Sequence, residues 1–244
     1  MRILVTNDDG IGAVGLAALA ETLGRDHDVC IFAPDKERSG VSHALTLGTA
    51  DKIRKVGEKA FSCSGTPADC VLLCLLGAIG FVPQIVVSGI NKGSNLGTDI
   101  IYSGTCAAAR EAVLSGIPGI AVSCVSRSGP FLYGAAANFV LRNLDALVDA
   151  GSGQAFINVN APSSDSYLGH ALWSIPCTRV YGNELKSFDG PDGFSYCFLT
   201  GGYPEVNPEV DSDYAAVSAG RISVSPVLVH PQVPADFLPG RDFS

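Results

Sequence analysis

Residues 6–23, TNDDGIGAVGLAALAETL, decide the predicted fold of this chain. They follow the apolar run ILV and place Gly10, Gly12 and Gly15 in a G-x-G-x-x-G pattern, with Asp35 after the next apolar run, VCIFA. This is the spacing of the strand, glycine-rich turn and helix in dinucleotide-binding domains. The pattern predicts a parallel α/β sheet and raises the question of which ligand its first turn holds.

Two adjacent aspartates, Asp8 and Asp9, stand between the first predicted strand and these glycines. In a dinucleotide-binding turn the first glycine follows the strand directly, so that the backbone can approach the pyrophosphate. Two carboxylates at that place would repel a pyrophosphate, and we therefore reject a nicotinamide cofactor. The pair favours a hard divalent cation, Mg²⁺ or Mn²⁺, which prefers oxygen ligands. The alternative is a helix cap and turn, since Asp-Gly is a common turn pair.

The composition of the 244 residues indicates a globular chain with a sizeable core, because 47% are apolar and only 16% are charged. The formal net charge is −8, and no basic run occurs. Binding to a nucleic acid backbone by charge alone is therefore not expected. A phosphate substrate would need local positive charge from a metal, a helix N-terminus or a few placed cations.

The eight cysteines are scattered through mostly apolar stretches, and none forms a C-x-x-C pair. This pattern predicts buried, reduced thiols and a cytoplasmic location. No charged-then-apolar leader and no apolar run long enough to span a bilayer is found, so we expect no association with a membrane.

Apolar runs alternate with helical patterns over residues 1–150. The alternation predicts an α/β fold with a Rossmann-like, mostly parallel sheet covered by helices on both faces. Residues 151–244 differ, because extended segments such as AFINVNAP and GFSYCFLTG dominate there. We therefore expect a core domain over 1–150 and a β-rich C-terminal extension over 151–244 that packs on, or is exchanged with, a neighbouring subunit.

Polar residues follow the predicted strands at the rim where parallel sheets bind ligands. Residues 86–113 are the most informative segment, because amide oxygens of Asn91 or Asn95 can coordinate a hard metal. Ser103 and Thr105 flank the start of a predicted helix, where free N–H groups make an anion site. The alternative there is a long loop with an ordinary helix cap. His43 is a candidate general acid, although a histidine among apolar neighbours is more often packed.

Several motifs together resemble the survival protein E (SurE) family over essentially the whole chain. They are NDDG at 7–10, APDKERSG at 33–40, GTPADC at 65–70, SGINKGSNLGTDIIYSGTCAA at 88–108, INVNAP at 157–162 and DYAAVSAGRISVSP at 213–226. The resemblance implies a phosphatase that hydrolyses nucleoside monophosphates at 5′ and 3′ positions with one divalent metal ion per subunit. For some members it also implies activity on short polyphosphate. A homodimer or homotetramer with exchanged β-rich parts is the implied assembly.

The resemblance also implies roles for individual residues. It places the metal on Asp8, Asp9, Ser39 and Asn91, and the phosphate on Asn95, Ser103, Gly104 and Thr105. Either Asp8 or Asp9 would deprotonate the attacking water or attack phosphorus directly, and the sequence does not separate these routes. The rivals are a phosphatase with a covalent aspartyl-phosphate and a non-catalytic, metal-dependent nucleotide-binding module.

Overall fold

The computed structural model describes residues 1–126, 129–151, 153–202, 204–207 and 209–232. The strands are β1 (Arg2–Thr6), β2 (Asp28–Pro34), β3 (Ile53–Gly57), β4 (Ala60–Cys63), β5 (Ile85–Lys92), β6 (Gly119–Val125), β7 (Ala155–Pro162), β8 (Ala171–Trp173), β9 (Thr178–Val180), β10 (Asn183–Asp189), β11 (Ser195–Gly201), β12 (Glu205–Asn207) and β13 (Ile222–Leu228). The helices are α1 (Val14–Leu23), α2 (Pro67–Leu75), α3 (Gly104–Leu114), α4 (Gly134–Gly151) and α5 (Asp213–Ser218), with a 3₁₀ turn at Gly97–Ile101.

Nine strands form the central sheet in the order β3-β4-β2-β1-β5-β6-β7-β13-β8. The six strands from β4 to β7 are mutually parallel. At one edge β3 runs antiparallel to β4. Towards the other edge β13 runs antiparallel to β7, and the edge strand β8 is parallel to β13. The carboxyl ends of six strands therefore share one rim, as the apolar runs predict.

Helices cover both faces of the sheet, and each face has its own apolar core. Leu16 and Leu19 of α1 pack with Val140 and Leu144 of α4 against one face. On the other face α2 and α3 pack side by side, mainly through small side chains such as Ala108. The predicted α/β fold, mostly parallel and covered on both faces, is confirmed.

Two glycines of the opening segment explain why its turn is tight. Gly10 has a φ of +94°, a left-handed conformation that side chains rarely adopt. A Cβ at Gly15 would lie 2.0 Å from the carbonyl oxygen of Ile90, so only glycine lets α1 pack directly on β5. The G-x-G-x-x-G spacing thus reflects backbone packing.

The predicted division at residue 150 stays a prediction, and the central sheet includes strands from both sides of that position. β7 is fully buried and continues the parallel sheet, and β13 pairs with it along six residues. Between them β10 and β11 form a separate two-stranded hairpin, and β9 pairs with β12. Among the described residues after 150, the strands that lie outside the central sheet are therefore β9 to β12.

None of the helices in the described ranges is both long enough and apolar enough to cross a membrane.

Candidate metal and phosphate site

The candidate site lies where the chain order of the sheet reverses. β1 has β2 on one side and β5 on the other, so the loops that follow β1 and β5 leave a crevice at the carboxyl rim. Asp8 and Asp9 follow β1, and Asn91 lies at the end of β5. The structure thus brings together residues separated by more than eighty positions in the sequence.

Asp8 is buried and is held by the first turn of α3. Its Oδ1 accepts a hydrogen bond from Thr105 Oγ1 at 2.6 Å, and its Oδ2 accepts one from the Thr105 backbone N–H at 3.1 Å. A Cβ at Gly104 would lie 2.9 Å from the Cβ of Asp8, so glycine permits this close approach. Thr105 therefore fixes the orientation of the Asp8 carboxylate.

Asp9 is half-buried and faces the end of β5. Its Oδ2 accepts a hydrogen bond from the backbone N–H of Lys92 at 3.0 Å. Burial raises the pKa of Asp9, the Lys92 backbone bond lowers it, the nearby charge of Glu37 raises it, and the charge of Lys92 lowers it. The net direction is upward, which leaves the carboxylate a better proton acceptor than a solvated aspartate.

Neither carboxylate forms an ion pair within the described residues, although the charge of Lys92 is near enough to lower the pKa of Asp9. The ion pairs found there join other acids, namely Asp35, Glu111, Asp28 and Asp99. Burial raises the pKa of Asp8 as well, and the adjacent Asp9 charge adds to that rise against the lowering by Thr105. Two neighbouring carboxylates that form no ion pair within the described residues fit a hard divalent cation, which would remove their repulsion.

Two neutral oxygen donors are expected at the metal, Ser39 in the loop after β2 and Asn91 near the end of β5. Ser39 is exposed, and its Oγ donates to Glu37 Oε1 at 2.7 Å. Its loop is anchored by the backbone N–H of Arg38, which donates to Asp8 O at 2.7 Å. Asn91 donates through Nδ2 to Gly93 O at 3.0 Å, an orientation that leaves its amide oxygen to other partners. Both metal contacts stay predictions.

No cluster of three His, Cys, Asp or Glu side chains suited to a metal occurs in the described part of the chain. A cation at Asp8 and Asp9 would therefore complete its coordination with neutral protein oxygens and water. Mg²⁺ and Mn²⁺ accept such a ligand set, because both are hard ions that keep several waters.

The predicted phosphate residues lie at the start of α3 and in the loop before it. Ser103 is the N-cap, and its Oγ accepts from the Cys106 N–H at 3.0 Å. Gly104 and Thr105 form the first turn. The Thr105 and Cys106 N–H groups already donate to Asp8 and Ser103, so the Gly104 N–H and the helix dipole are what this turn offers an anion. Because Thr105 is already bonded to Asp8, its predicted contact with phosphate stays a prediction.

Asn95 is buried and is fixed by the neighbouring strands. Its Nδ2 donates to Ser123 Oγ at 2.8 Å, and its backbone N–H donates to Asn160 Oδ1 at 2.8 Å. The Nδ2 groups of Asn158 and Asn160 both donate to the carbonyl oxygen of Asn95. The predicted contact between Asn95 and phosphate is untested, but the residue is clearly an anchor of the loop.

His43 lies over α3, where its Nε2 is 2.8 Å from Glu111 Oε2. Glu111 is itself buried within α3. The predicted role of His43 in proton transfer stays a prediction, and Glu111 is a partner that spacing did not reveal.

Sequence reasoning also missed how the second half of the chain supports the site. Asp213 is fully buried and accepts from the backbone N–H groups of Gly97 at 2.7 Å and Cys177 at 3.0 Å. Arg179 pairs with Asp99 in the 3₁₀ turn. The indication of this support in the sequence was the pair of amides, Asn158 and Asn160, within an otherwise apolar strand.

Comparisons with known proteins agree with the motifs. A family model described as survival protein SurE matches residues 3–184. A protein of Geotalea uraniireducens named 5′-nucleotidase SurE is 44% identical over 231 residues, which cover 93% of this chain and 92% of that protein. A Kosmotoga olearia protein of the same name is 43% identical over 235 residues, with coverage of 93% and 92%.

A solved structure agrees as well. The crystal structure of the SurE protein from Aquifex aeolicus is similar at a TM-score of 0.81 and 32% identity, and 95% of each chain is covered. The family match over most of the sequence, the identity to both relatives and the common fold show that this chain belongs to the SurE family.

Proposed function

We propose that this protein is a metal-dependent phosphatase that hydrolyses nucleoside monophosphates, at 5′ and 3′ positions, to nucleoside and phosphate. Short polyphosphate is a further proposed substrate. The observation that carries the proposal is the adjacent pair Asp8 and Asp9 at the first turn of α3, neither of which forms an ion pair within the described residues. The names of the relatives support a nucleotidase.

One Mg²⁺ or Mn²⁺ ion per subunit would be held by Asp8, Asp9, Ser39 and Asn91. When bound, the ion would polarise a phosphoryl oxygen and supply positive charge to a chain whose net charge is −8. The remaining phosphoryl oxygens are assigned to Asn95 and to Ser103, Gly104 and Thr105. The Gly104 N–H and the positive end of the α3 dipole would stabilise such oxygens, because the Thr105 and Cys106 N–H groups donate to Asp8 and Ser103.

Asp9 is assigned as the group that accepts a proton from the attacking water. Both oxygens of Asp8 accept hydrogen bonds from Thr105, whereas one oxygen of Asp9 accepts from Lys92. A bound cation would lower the pKa of Asp9, so the assignment rests on its second oxygen, which accepts no hydrogen bond from the described residues. His43, oriented by Glu111, is assigned as the donor of a proton to the leaving nucleoside oxygen.

The decisive experiment measures phosphate release from AMP, 3′-AMP and tripolyphosphate with Mn²⁺, Mg²⁺ or EDTA. Asp9→Asn is the test variant, and Asp26→Asn is its matched control, because Asp26 is exposed and lies at the opposite end of α1. Release that needs metal and is lost in Asp9→Asn alone would support the proposal.

Other outcomes would separate the rivals. Saturable nucleotide binding without release would favour a non-catalytic binding module. A trapped phosphoryl group on Asp8 or Asp9 would favour the covalent route. Phosphate release that EDTA does not reduce, and that is unchanged in Asp9→Asn, would contradict the assignment of the site.

We also propose that the chain forms a homodimer or homotetramer through its C-terminal extension. The hairpin of β10 and β11 exposes six large apolar side chains, namely Leu185, Phe188, Phe194, Tyr196, Phe198 and Leu199. An isolated two-stranded hairpin is marginally stable in water, so a covering partner is expected. A cytoplasmic location is proposed because all eight cysteines are free thiols, seven of them buried.

A further inference from the structure

The loop after β2 contains a serine with an unusual backbone conformation. Ser42 has a φ of 56°, and it is the one residue other than glycine with a positive φ among the described residues. Side chains rarely adopt this left-handed conformation, because the Cβ crowds a neighbouring carbonyl oxygen. Such strain persists where surrounding contacts hold it, and it is frequent at functional sites. The contacts of Ser42 therefore indicate what this conformation serves.

Ser42 is held by two consecutive carbonyl groups of a distant segment. Its backbone N–H donates to Tyr102 O at 3.0 Å, and its Oγ donates to Ile101 O at 2.7 Å. Ile101 ends the 3₁₀ turn, and Tyr102 is followed directly by Ser103, the N-cap of α3. Ser42 therefore fixes the backbone that immediately precedes the proposed phosphate turn.

The start of the same loop is fixed at the proposed metal site. The backbone N–H of Arg38 donates to Asp8 O at 2.7 Å, and the N–H of Val41 closes a turn on Arg38 O at 3.3 Å. The proposed metal ligand Ser39 lies inside this turn, three residues before Ser42. One short loop therefore joins the backbone of the metal site to the backbone that precedes the phosphate turn.

The residue after Ser42 extends this link to the body of α3. His43 Nε2 lies 2.8 Å from Glu111 Oε2, and His43 is the proposed donor of a proton to the leaving group. A displacement of Ser42 would therefore move both Ser39 and His43 relative to a phosphate bound at the start of α3.

We propose that Ser42 is a positioning residue for the reaction, which holds Ser39 and His43 at fixed places relative to the phosphate turn. The inference rests on the proposed function, and in this assignment Ser42 itself does not contact the substrate. Phosphoryl transfer depends mainly on positioning and charge, and a displacement of about 1 Å can lower the rate about 100-fold. The effect of losing the Ser42 hydroxyl should therefore fall on kcat.

The kinetic test separates the hydroxyl of Ser42 from its backbone conformation. Ser42→Gly removes Oγ and adopts the left-handed backbone without strain, whereas the matched variant Ser42→Asn keeps a side-chain donor in a residue that tolerates this backbone. The loop stays anchored in both, because Ala44 O accepts from Thr66 Oγ1 at 2.7 Å. At saturating Mn²⁺ we expect kcat for AMP to fall about 10- to 100-fold in Ser42→Gly and less than about threefold in Ser42→Asn. KM should change by less than about threefold in both.

A second measurement does not depend on activity. Hydrogen exchange followed by mass spectrometry should show faster exchange in Ser42→Gly for peptides covering residues 38–46 and 97–108, and no change for α1. Ser42→Asn should exchange like wild type in all three regions, because it keeps the donor that reaches the carbonyl of Ile101.

Several outcomes would overturn the inference even if wild type hydrolyses AMP. They are wild-type exchange in Ser42→Gly, an unchanged kcat in that variant, an equal loss of kcat in Ser42→Gly and Ser42→Asn, and a loss that falls on KM alone. Faster exchange in Ser42→Gly of a protein that releases no phosphate would instead contradict the nucleotidase and leave the link between this loop and α3 supported.

Discussion

The hydroxyl of Thr105 is the contact on which the geometry of the site depends most. It donates to Asp8 at 2.6 Å, and Thr105 has no exposed surface. A carboxylate in a metal site needs such a donor, because the ion constrains its orientation tightly. Thr105 therefore links two parts of the site. One is α3, which is proposed to hold the phosphate, and the other is the Asp8 carboxylate, which is proposed to hold the metal.

Replacing Thr105 by valine keeps the shape of the side chain and removes the donor. We expect phosphate release from AMP to fall by about 10- to 100-fold and the apparent affinity for Mn²⁺ to weaken by a similar factor. A titration of activity against Mn²⁺ concentration measures both. Thr105→Ser retains the hydroxyl and should recover most of the activity. Equal activity of the valine variant and wild type would show that this hydrogen bond does not position Asp8.

At the scale of elements, the loop between β5 and α3 is held from the C-terminal half of the chain. Asp213, at the start of α5, accepts from the N–H groups of Gly97 and Cys177. A Cβ at Gly97 would lie 1.9 Å from the Cys177 carbonyl oxygen, so the two segments are in direct contact. The 3₁₀ turn before α3 thus depends on α5 for its position.

Asp213→Ala would leave both N–H groups buried without an acceptor. We expect the free energy of unfolding to fall by about 3 kcal/mol, measured by urea titration at a fixed protein concentration. Asp211→Ala, two residues earlier and exposed, should change stability by less than about 0.5 kcal/mol. A loss of equal size in both variants would contradict the role given to Asp213.

The elements of the core could be predicted, and the supports of the site could not. The apolar runs predict the strands. Gly10 and Gly15 predict a tight turn and a closely packed helix after the first strand, so β1, α1 and the parallel sheet could be predicted. The bond from Thr105 to Asp8 spans 97 residues, and nothing local to either residue encodes it. β10, NELKSFD, was not predicted, because an exposed strand carries no apolar run.

At the scale of the whole molecule, a single chain does not explain why the hairpin of β10 and β11 exposes so many apolar side chains. Leu185 and Leu199 lie opposite each other on one face, at 70% and 78% exposure. Phe188, Tyr196 and Phe198 stack on the other face with ring centroids 5.3 and 5.9 Å apart. Apolar side chains on both faces favour burial by another copy of the chain.

Leu199→Asp should therefore dissociate the proposed dimer or tetramer. A charge placed in an apolar interface costs several kcal/mol, enough to shift assembly at micromolar concentration. Sedimentation velocity measures the mass. Leu76→Asp is the matched control, because Leu76 is 75% exposed and lies at the end of α2, outside the hairpin. A monomeric wild type, or an unchanged mass in Leu199→Asp, would contradict an assembly through this hairpin.

Metal binding should also change the stability of the whole chain. An ion that binds only the folded state stabilises it by about 2.7 kcal/mol when its free concentration is one hundred times Kd. Mn²⁺ should therefore raise the Tm of wild type and of Asp26→Asn, and EDTA should reverse the rise. Asp9→Asn should show little response to Mn²⁺. In EDTA this variant should be at least as stable as wild type, because the substitution removes the repulsion between two adjacent carboxylates. A rise of equal size in Asp9→Asn and wild type would place the ion elsewhere.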